Sequence, residues 1–172
     1  MLDAAESVVL VDERDREVGM APKLAAHVDG VLHRAFSVFV LNARGELLLQ
    51  RRAVTKYHCG GLWTNSCCGH PRAGEPVAAA ARRRLREEMG FDCDLAPAGS
   101  FVYRAELGNG LVEHEFDHIF VGRHEADPLP DPAEVGEWRW QSPAAALAEA
   151  ETHPERFTPW VGLALRAAGL AG

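Results

Sequence analysis

The sequence predicts an α+β fold with mixed, mostly antiparallel β-sheets flanked by α-helices. Three observations predict this class: short β-rich runs end at Gly-containing turns, one strongly helical segment lies among them, and further helices follow near the C-terminal end. Hydrophobic residues make up 47% of the 172-residue chain and charged residues 25%, as in globular proteins with a buried core. We therefore expect a single domain over residues 1–172, with its core at about 7–140 and C-terminal helices at about 142–168.

The first predicted elements are a strand and a hairpin. The strand covers residues 7–12 and ends at a charged turn over residues 13–16. A less regular stretch separates that turn from two β-rich runs, residues 35–41 and 46–51. Because the four residues between these runs (42–45) end in a glycine, the pattern is typical of a β-hairpin.

The clearest helix covers residues 78–89. Pro76 suits the beginning of this helix, and Gly90 suits its C-terminal end. The preceding segment, residues 53–74, is rich in Gly, Cys, His and Trp and shows no hydrophobic period. We expect that segment to be a loop with a short strand near residues 63–67.

The last third of the chain adds another hairpin, one strand and two helices. Strands are predicted near residues 100–107 and 111–123, around a turn that contains two glycines. The remaining elements follow in chain order: a strand at residues 137–140, a helix that begins at Ser142, and a helix over residues 154–168.

The acidic composition limits the partners that we expect. The chain has 18 Lys+Arg and 25 Asp+Glu, a net charge of −7, which argues against broad nucleic-acid binding but not against a small anion held by local cations. No apolar run is long enough for membrane insertion, and residues 1–6 lack the features of a signal or transit peptide. We expect a cytoplasmic protein, a monomer or weak homo-oligomer. Its four cysteines are expected to be free thiols: Cys59, Cys67, Cys68 and Cys93.

Residues 69–91 contain the most specific spacing in the chain. Eight of nine positions fit the pattern G-x5-E-x7-R-E-U-x-E-E-x-G-U, in which U is a bulky apolar residue. The segment resembles the Nudix box, and this resemblance implies a Nudix-like fold. The matching residues are Gly69, Glu75, Arg83, Leu85, Glu87, Glu88, Gly90 and Phe91.

The ninth position of the box is Arg84, where the pattern has Glu. In Nudix hydrolases the glutamates of this helix hold divalent ions that activate water against a diphosphate. A cation at this position weakens the hydrolase interpretation and favours a Nudix-like scaffold with a different activity. Three alternatives stay open at this point: a diphosphate hydrolase, a ligand-sensing module without catalysis, and a solvated helix with ion pairs four residues apart.

A strand-like segment supplies a row of carboxylates. With a period of two, Glu113, Glu115 and Asp117 share one face of the strand. Such a row either faces solvent or supplies metal ligands and an acid/base group to a pocket. Upstream, Cys68 precedes His70 by two residues, which alone indicates only a core cysteine beside a loop histidine.

Several motifs taken together resemble type 1 isopentenyl-diphosphate isomerase. The W-T-N-x-x-C-G-H-P motif at residues 63–71 is highly specific for that family, and the E-x-E motif at residues 113–115 supports it independently. The resemblance extends over nearly the whole chain, from the first strand to Trp160. It implies an isomerase that interconverts isopentenyl and dimethylallyl diphosphate in isoprenoid precursor biosynthesis, by protonation and deprotonation through a tertiary carbocation.

The resemblance also implies roles for individual residues. Cys68 and Glu115 would be the acid/base pair, and which of them protonates the alkene stays open. Trp160 would face the carbocation and Tyr103 would bond to Glu115, although each is otherwise an ordinary core aromatic. Four cations would bind the diphosphate of the small-molecule substrate: Lys23, Arg52, Lys56 and Arg84.

Two divalent-metal sites are implied by the same resemblance. The first would hold Mn²⁺, Zn²⁺ or Mg²⁺ through His27, His33, His70, Glu113 and Glu115. The second would hold Mg²⁺ between the substrate diphosphate, Glu88 and the backbone carbonyl of Cys68. The family often has an aromatic residue and Pro where this chain has Cys59-Gly60, a difference that changes one wall of the expected pocket and leaves Cys59 without a role.

Overall fold

The computed structural model describes residues 6–170; residues 1–5 and 171–172 of the expected domain lie outside the described residues. The described part forms an α+β fold, as predicted. Its elements are, in chain order, β1 (Ser7–Val11), β2 (Glu17–Pro22), α1 (Lys23–Asp29), β3 (His33–Leu41), β4 (Leu47–Arg52), β5 (Trp63–Thr64), β6 (Cys67–Gly69), α2 (Val77–Met89), β7 (Leu95–Glu106), β8 (Val112–Arg123), β9 (Val135–Gln141), α3 (Pro143–Thr152), a 3₁₀ turn (Pro154–Arg156) and α4 (Val161–Ala167).

The strand β3 brings distant parts of the chain together. It pairs in parallel with β8, with His33 opposite Glu115, and antiparallel with β6, with Ser37 opposite Cys68. Most other pairings in the sheet are antiparallel, including β7 with β8 and β4 with β9. Because β6 and β8 both flank β3, the cysteine motif and the E-x-E motif become neighbours.

Two apolar cores use alternate residues of the same strands. Phe36 of β3 packs in a cluster with Leu85 of α2, whereas Phe39 packs in a second cluster with Leu165 of α4. Successive residues of a strand point to opposite faces, so a strand that is buried on both faces reads as a continuous apolar run. The continuous apolar run at residues 35–41 is therefore explained by a strand that helices cover on both faces.

The helix α2 confirms the helix predicted from the box. It begins after Pro76 and ends at Gly90, which has the left-handed backbone (φ 75°) that glycine adopts without strain. Bidentate hydrogen bonds from Arg83 to Glu75, at 2.8 and 2.9 Å, attach the preceding loop to the helix. These bonds explain why the box needs both residues at a fixed spacing.

The predicted hairpin at residues 35–51 is only partly correct. Both strands and the turn are present, but β3 and β4 pair only next to the turn, where Leu41 lies opposite Leu47. Beyond that point β3 pairs with β8 and β4 pairs with β9, since each finds a longer partner elsewhere in the chain. The less regular stretch contains β2 and α1, which sequence patterns did not predict.

The helix predicted over residues 154–168 is shorter than expected. A 3₁₀ turn is followed by extended chain, and α4 begins only at Val161. Pro159 disfavours helical backbone at Thr158, whose N–H instead donates to the carbonyl of Trp63 at 2.9 Å. None of the helices in residues 6–170 has the length and apolar character that a membrane crossing requires.

Candidate active site

A cleft lies between β3, β6, β8 and α2. Its lining includes ten of the residues that the sequence singled out: Lys23, Arg52, Lys56, Cys68, His70, Arg84, Glu88, Glu113, Glu115 and Trp160. The other three, His27, His33 and Tyr103, are buried and contact the carboxylates of β8. The structure thus brings together all the residues for which the resemblance implied a role.

Two buried histidines direct their Nε2 atoms toward the carboxylates of β8. The Nδ1 atoms of His27 and His33 lie 2.6 and 2.9 Å from backbone carbonyl oxygens, which only accept hydrogen bonds. Each Nδ1 therefore carries the proton and each Nε2 keeps its lone pair. His27 Nε2 contacts Glu113 Oε1, and His33 Nε2 lies 3.5 Å from Glu115 Oε2. Lone pairs that face carboxylate oxygens repel them, so this arrangement fits a bound cation.

Tyr103 connects the two carboxylates. Its hydroxyl donates to Glu115 and lies 3.2 Å from Glu113 Oε2. Burial and the neighbouring Glu115 raise the pKa of Glu113 well above its ordinary value. Burial alone would raise the pKa of Glu115 too, but hydrogen bonds from Glu113 and His70 outweigh it and hold the pKa of Glu115 well below its ordinary value. In the metal-free protein the pKa values of the two carboxyls are thus shifted in opposite directions.

His70 completes the histidine cluster. Its Nε2 lies 2.9 Å from Glu115 Oε2, and its ring centre lies 5.1 Å from that of His33. Burial lowers the pKa of His70 to about 3, so the imidazole is neutral at physiological pH, which is the form that binds metals. Nitrogens of His27, His33 and His70 lie within 4.8 Å of one another. These imidazoles and the two carboxylates form a cluster that can hold a divalent ion.

Adjacent cysteines occupy different environments because side chains alternate along β6. Cys67 is fully buried in the apolar cluster beneath α2, whereas Cys68 lines the cleft. Nη1 of Arg52 lies 3.6 Å from Cys68 Sγ. Burial nevertheless raises the pKa of Cys68 to about 12, aided by the charges of Glu88 and Glu115. The thiol in the cleft is therefore neutral at physiological pH.

Four cations also line the cleft. Lys23, Arg52, Lys56 and Arg84 all line it, which favours an anionic ligand. Two of them also pair with acidic residues: Lys56 Nζ donates to Glu134 Oε2 at 2.5 Å, and Arg84 lies 3.4 Å from the same carboxylate. These pairs hold both side chains at the cleft.

The carboxylate of Glu88 is held on both sides. Gln50 Nε2 donates to its Oε2 at 2.9 Å, and Arg84 Nη2 donates to its Oε1 at 2.6 Å. Arg84 thus occupies the box position of a hydrolase glutamate and forms an ion pair with Glu88, the last carboxylate of the box. The ion pair between residues four apart that the spacing predicted is present, but it lines the cleft instead of a solvated face.

Hydrogen bonds join the W-T-N motif (residues 63–65) to a second tryptophan motif, T-P-W, at residues 158–160. Trp160 is 2% exposed, and its indole N–H donates to Asn65 Oδ1 at 3.1 Å. Asn65 also donates to the carbonyl of Cys67 at 2.5 Å, and the hydroxyls of Thr64 and Thr158 lie 2.8 Å apart. These bonds explain why W-T-N and T-P-W occur together, since one motif orients the aromatic residue of the other.

The cleft lining also includes Ser37, His58 and Asp117, for which the family resemblance implied no role. Ser37 Oγ donates to Asp117 Oδ2 at 2.7 Å, and burial with the charge of Glu115 raises the pKa of Asp117 well above its ordinary value. The period of two did place Asp117 on the correct face, and a serine inside an apolar strand was a usable signal for Ser37. His58 also lines the cleft. The one sequence feature that could have drawn attention to His58 is the adjacent Cys59-Gly60, where the loop differs from the family pattern.

Comparison with known proteins defines the class. Residues 31–161 match the family model of the NUDIX domain. Among solved structures, a Deinococcus radiodurans protein superposes with a TM-score of 0.80 at 24% identity, covering 95% of this chain and 99% of that one. The MutT protein of Methanosarcina mazei gives a TM-score of 0.67 at 21% identity, covering 80% and 93%. These similarities confirm the Nudix fold.

Curated relatives narrow the class. Isopentenyl-diphosphate Delta-isomerase 2 of Aromatoleum aromaticum is 52% identical over 93% of this chain and 85% of its own. The isopentenyl-diphosphate Delta-isomerases of Burkholderia multivorans and Halorhodospira halophila are 52% and 53% identical, and cover 96% and 90% of this chain and 94% and 90% of their own. The chain belongs to the isopentenyl-diphosphate Delta-isomerase family of Nudix enzymes, as its motifs predicted.

Proposed function

We propose that this protein interconverts isopentenyl and dimethylallyl diphosphate, with Cys68 and Glu115 as the acid/base pair. The observation that supports this most directly is the meeting of a protonated thiol and a charged carboxylate in one cleft lined with cations. The reaction adds a proton to the terminal alkene carbon and removes another two carbons along, through a tertiary carbocation. One group of the pair donates a proton and the other accepts one, so the number of protons on the pair is unchanged after a turnover. A proton must then pass back from the second group to the first, through solvent or the substrate of the reverse reaction, before the same step can repeat.

The diphosphate takes no part in bond breaking in this proposal. Lys23, Arg52, Lys56 and Arg84 bind its oxygens, and this remote binding energy fixes the alkene between the acid and the base. Trp160 presents an aromatic face to the carbocation, an interaction of about 0.5–2 kcal/mol in proteins. The hydrogen bond from Trp160 to Asn65 orients that face.

We propose two divalent-metal sites. The ligands of the first site are His27, His33, His70, Glu113 and Glu115. Their imidazole nitrogens and carboxylate oxygens suit Mn²⁺, Zn²⁺ or Mg²⁺. An ion bound there would polarise Glu115 and offset the two carboxylate charges. The residues of the second, a Mg²⁺ site used with the diphosphate, are Glu88 and the carbonyl of Cys68. Tyr103 holds Glu115 in position through its hydroxyl.

We also propose a cytoplasmic, single-domain protein that acts as a monomer or weak homo-oligomer. The four cysteines are free thiols, which suits a reducing compartment. The net charge of −7 disfavours nucleic acid as a partner.

Diphosphate hydrolysis is the main alternative, and two features of the box disfavour it. Arg84 replaces one carboxylate, and Glu88 is already hydrogen-bonded to Gln50 and Arg84. A hydrolase also has no use for a protonated thiol beside a carboxylate.

The test compares Cys68→Ala with Cys67→Ala, since these neighbours share a strand but only one of them lines the cleft. With isopentenyl diphosphate as substrate, we expect Cys68→Ala to lower kcat at least about 100-fold and Cys67→Ala to keep most of the activity. Free phosphate is measured in the same samples. Equal isomerase rates in both variants, or release of phosphate in place of an isomer, would contradict the proposal.

A further inference from the structure

His58 belongs to the loop between β4 and β5 and lies against the proposed metal cluster. It is 5% exposed and lines the cleft. Its ring centre lies 5.2 Å from that of His27, and its Nε2 lies 3.9 Å from Glu113 Oε1, beyond hydrogen-bond length. The comparison of motifs assigned no role to this histidine.

The ring of His58 is held in place, yet one of its nitrogens lacks a partner. The backbone carbonyl of His58 accepts a bond from Arg52, and its ring packs 4.6 Å from that of Tyr57. The nitrogen of His58 that faces Glu113 is Nε2, so the ring presents a potential ligand atom to the cluster. The other nitrogen, Nδ1, is buried and makes no hydrogen bond with any residue that the structure describes.

His58 shares two neighbours, His27 and Glu113, with the proposed metal cluster. Ligand atoms of His27, His58 and Glu113 form one group within 4.8 Å of one another, and His27 also belongs to a second such group with His33 and His70. Two ligands of one Zn²⁺ ion, each bonded at about 2.0–2.1 Å, are at most roughly 4.1 Å apart. The 3.9 Å between His58 Nε2 and Glu113 Oε1 is within that limit.

We propose that His58 is an additional ligand of the divalent ion bound by the His/Glu cluster. This inference rests on the metal site of the proposed function and adds a fourth imidazole to it. Imidazole ligands favour Zn²⁺ and related transition metals, whereas Mg²⁺ favours oxygen ligands. His58 therefore raises the preference of the site for Zn²⁺ over Mg²⁺.

The test is a competition titration of purified, metal-free protein with Zn²⁺ against a chromophoric chelator, and a parallel titration with Mg²⁺. The first variant, His58→Phe, keeps an aromatic ring but has no ring nitrogen. The second, His58→Ala, is used as well because a phenyl ring is larger than imidazole and could disturb packing. His33→Phe reports on the cluster itself. His124→Gln is the matched control, because the His124 ring stacks on Phe91 at 3.8 Å and does not line the cleft.

We expect both His58 variants to weaken Zn²⁺ binding roughly 10- to 100-fold and Mg²⁺ binding less than about threefold, with His124→Gln unchanged. If His58 only positions Glu113, both metals lose affinity by the same factor, and the proposal is overturned. It is also overturned if His33→Phe weakens Zn²⁺ binding and the His58 variants do not. If His33→Phe has no effect either, the His/Glu metal site of the proposed function fails as a whole.

Discussion

Nη1 of Arg52 lies 3.6 Å from Sγ of Cys68 inside the cleft. A nearby cation stabilises a thiolate, but burial and the charges of Glu88 and Glu115 oppose it and raise the pKa of Cys68 to about 12. A thiol that keeps its proton at neutral pH suits proton exchange with an alkene, whereas a nucleophilic cysteine has a lowered pKa.

The raised pKa of Cys68 predicts slow alkylation with a steep pH dependence. Only the thiolate reacts with iodoacetamide, so the rate in metal-free protein should rise about tenfold for each pH unit from roughly pH 8 to 10, without a plateau. Arg52→Met removes the cation and should lower the rate at each pH. Mass spectrometry of the peptide with Cys68 measures the rate, in a Cys67→Ala background that removes the adjacent thiol. A plateau near pH 8.5, the ordinary thiol value, would contradict the assignment.

Removal of the Tyr103 hydroxyl is predicted to reduce turnover more than substrate binding. The hydroxyl donates to Glu115 and lies 3.2 Å from Glu113, and it makes no hydrogen bond to the cations proposed to bind the diphosphate among the contacts of the described residues. Tyr103→Phe should lower kcat about 10- to 100-fold and leave KM within about threefold. Steady-state kinetics with Phe101→Leu, which alters a neighbouring aromatic residue of β7, controls for packing. A rise in KM with kcat unchanged would show that Tyr103 acts in binding.

The pair between Glu75 and Arg83 is predicted to contribute stability that depends on pH. The hydrogen bonds from Arg83 lower the pKa of Glu75 below its ordinary value of 4.5. A lowered pKa in the folded state means that the stabilisation is present above about pH 4.5 and is lost as pH falls through the folded-state value.

Urea unfolding of Glu75→Gln tests this sign. The variant should be less stable than the parent by about 1 kcal/mol at neutral pH, and the difference should shrink as the pH falls below roughly 4.5. Glu106→Gln is the control, because Glu106 is 78% exposed and lies 3.7 Å from Arg104. A difference that grows toward low pH would refute the linkage.

Any side chain at Gly90 is predicted to lower the free energy of unfolding. Its φ is 75°, and a Cβ there would collide with the backbone carbonyl of Leu129. Gly74 has a similar φ of 71°, but among the described residues only its chain neighbours come within 4 Å of where its Cβ would lie, so it isolates the cost of the backbone conformation. Gly74→Ala should cost about 1 kcal/mol in unfolding free energy, and Gly90→Ala should cost at least about 1 kcal/mol more. Equal losses would show that the collision is relieved at no cost.

Local patterns predicted most elements but not how the strands pair. The apolar runs, the turn glycines and the helix that ends at Gly90 each depend on neighbouring residues. The parallel pairing of β3 with β8 joins residues about 80 positions apart, and no local signal specifies it. The edge strand β2 escaped prediction because none of its side chains is buried. The short α1 escaped because its buried positions hold Lys23, Ala26 and His27 while Leu24 and Val28 are exposed, so no apolar pattern marks its buried face.

The site was predictable where a motif spaced its residues and not elsewhere. The Nudix box, the W-T-N motif and the E-x-E motif each identify residues from sequence spacing alone, and the fold brings these residues to one cleft. Ser37 and His58 reach the same cleft through strand register and loop path, which spacing does not reveal. The hydrogen bond from Trp160 to Asn65 joins residues 95 positions apart, and only the structure shows it.

The most direct test of the proposed isomerisation is proton NMR of the purified protein with isopentenyl diphosphate and Mg²⁺ in deuterated buffer. We expect new methyl signals of dimethylallyl diphosphate and entry of deuterium into the product, because the proton that Cys68 or Glu115 delivers exchanges with solvent. The same spectrum with Cys68→Ala should show no product. An unchanged spectrum from folded, metal-loaded protein, or conversion of the substrate to free phosphate, would contradict the proposed reaction.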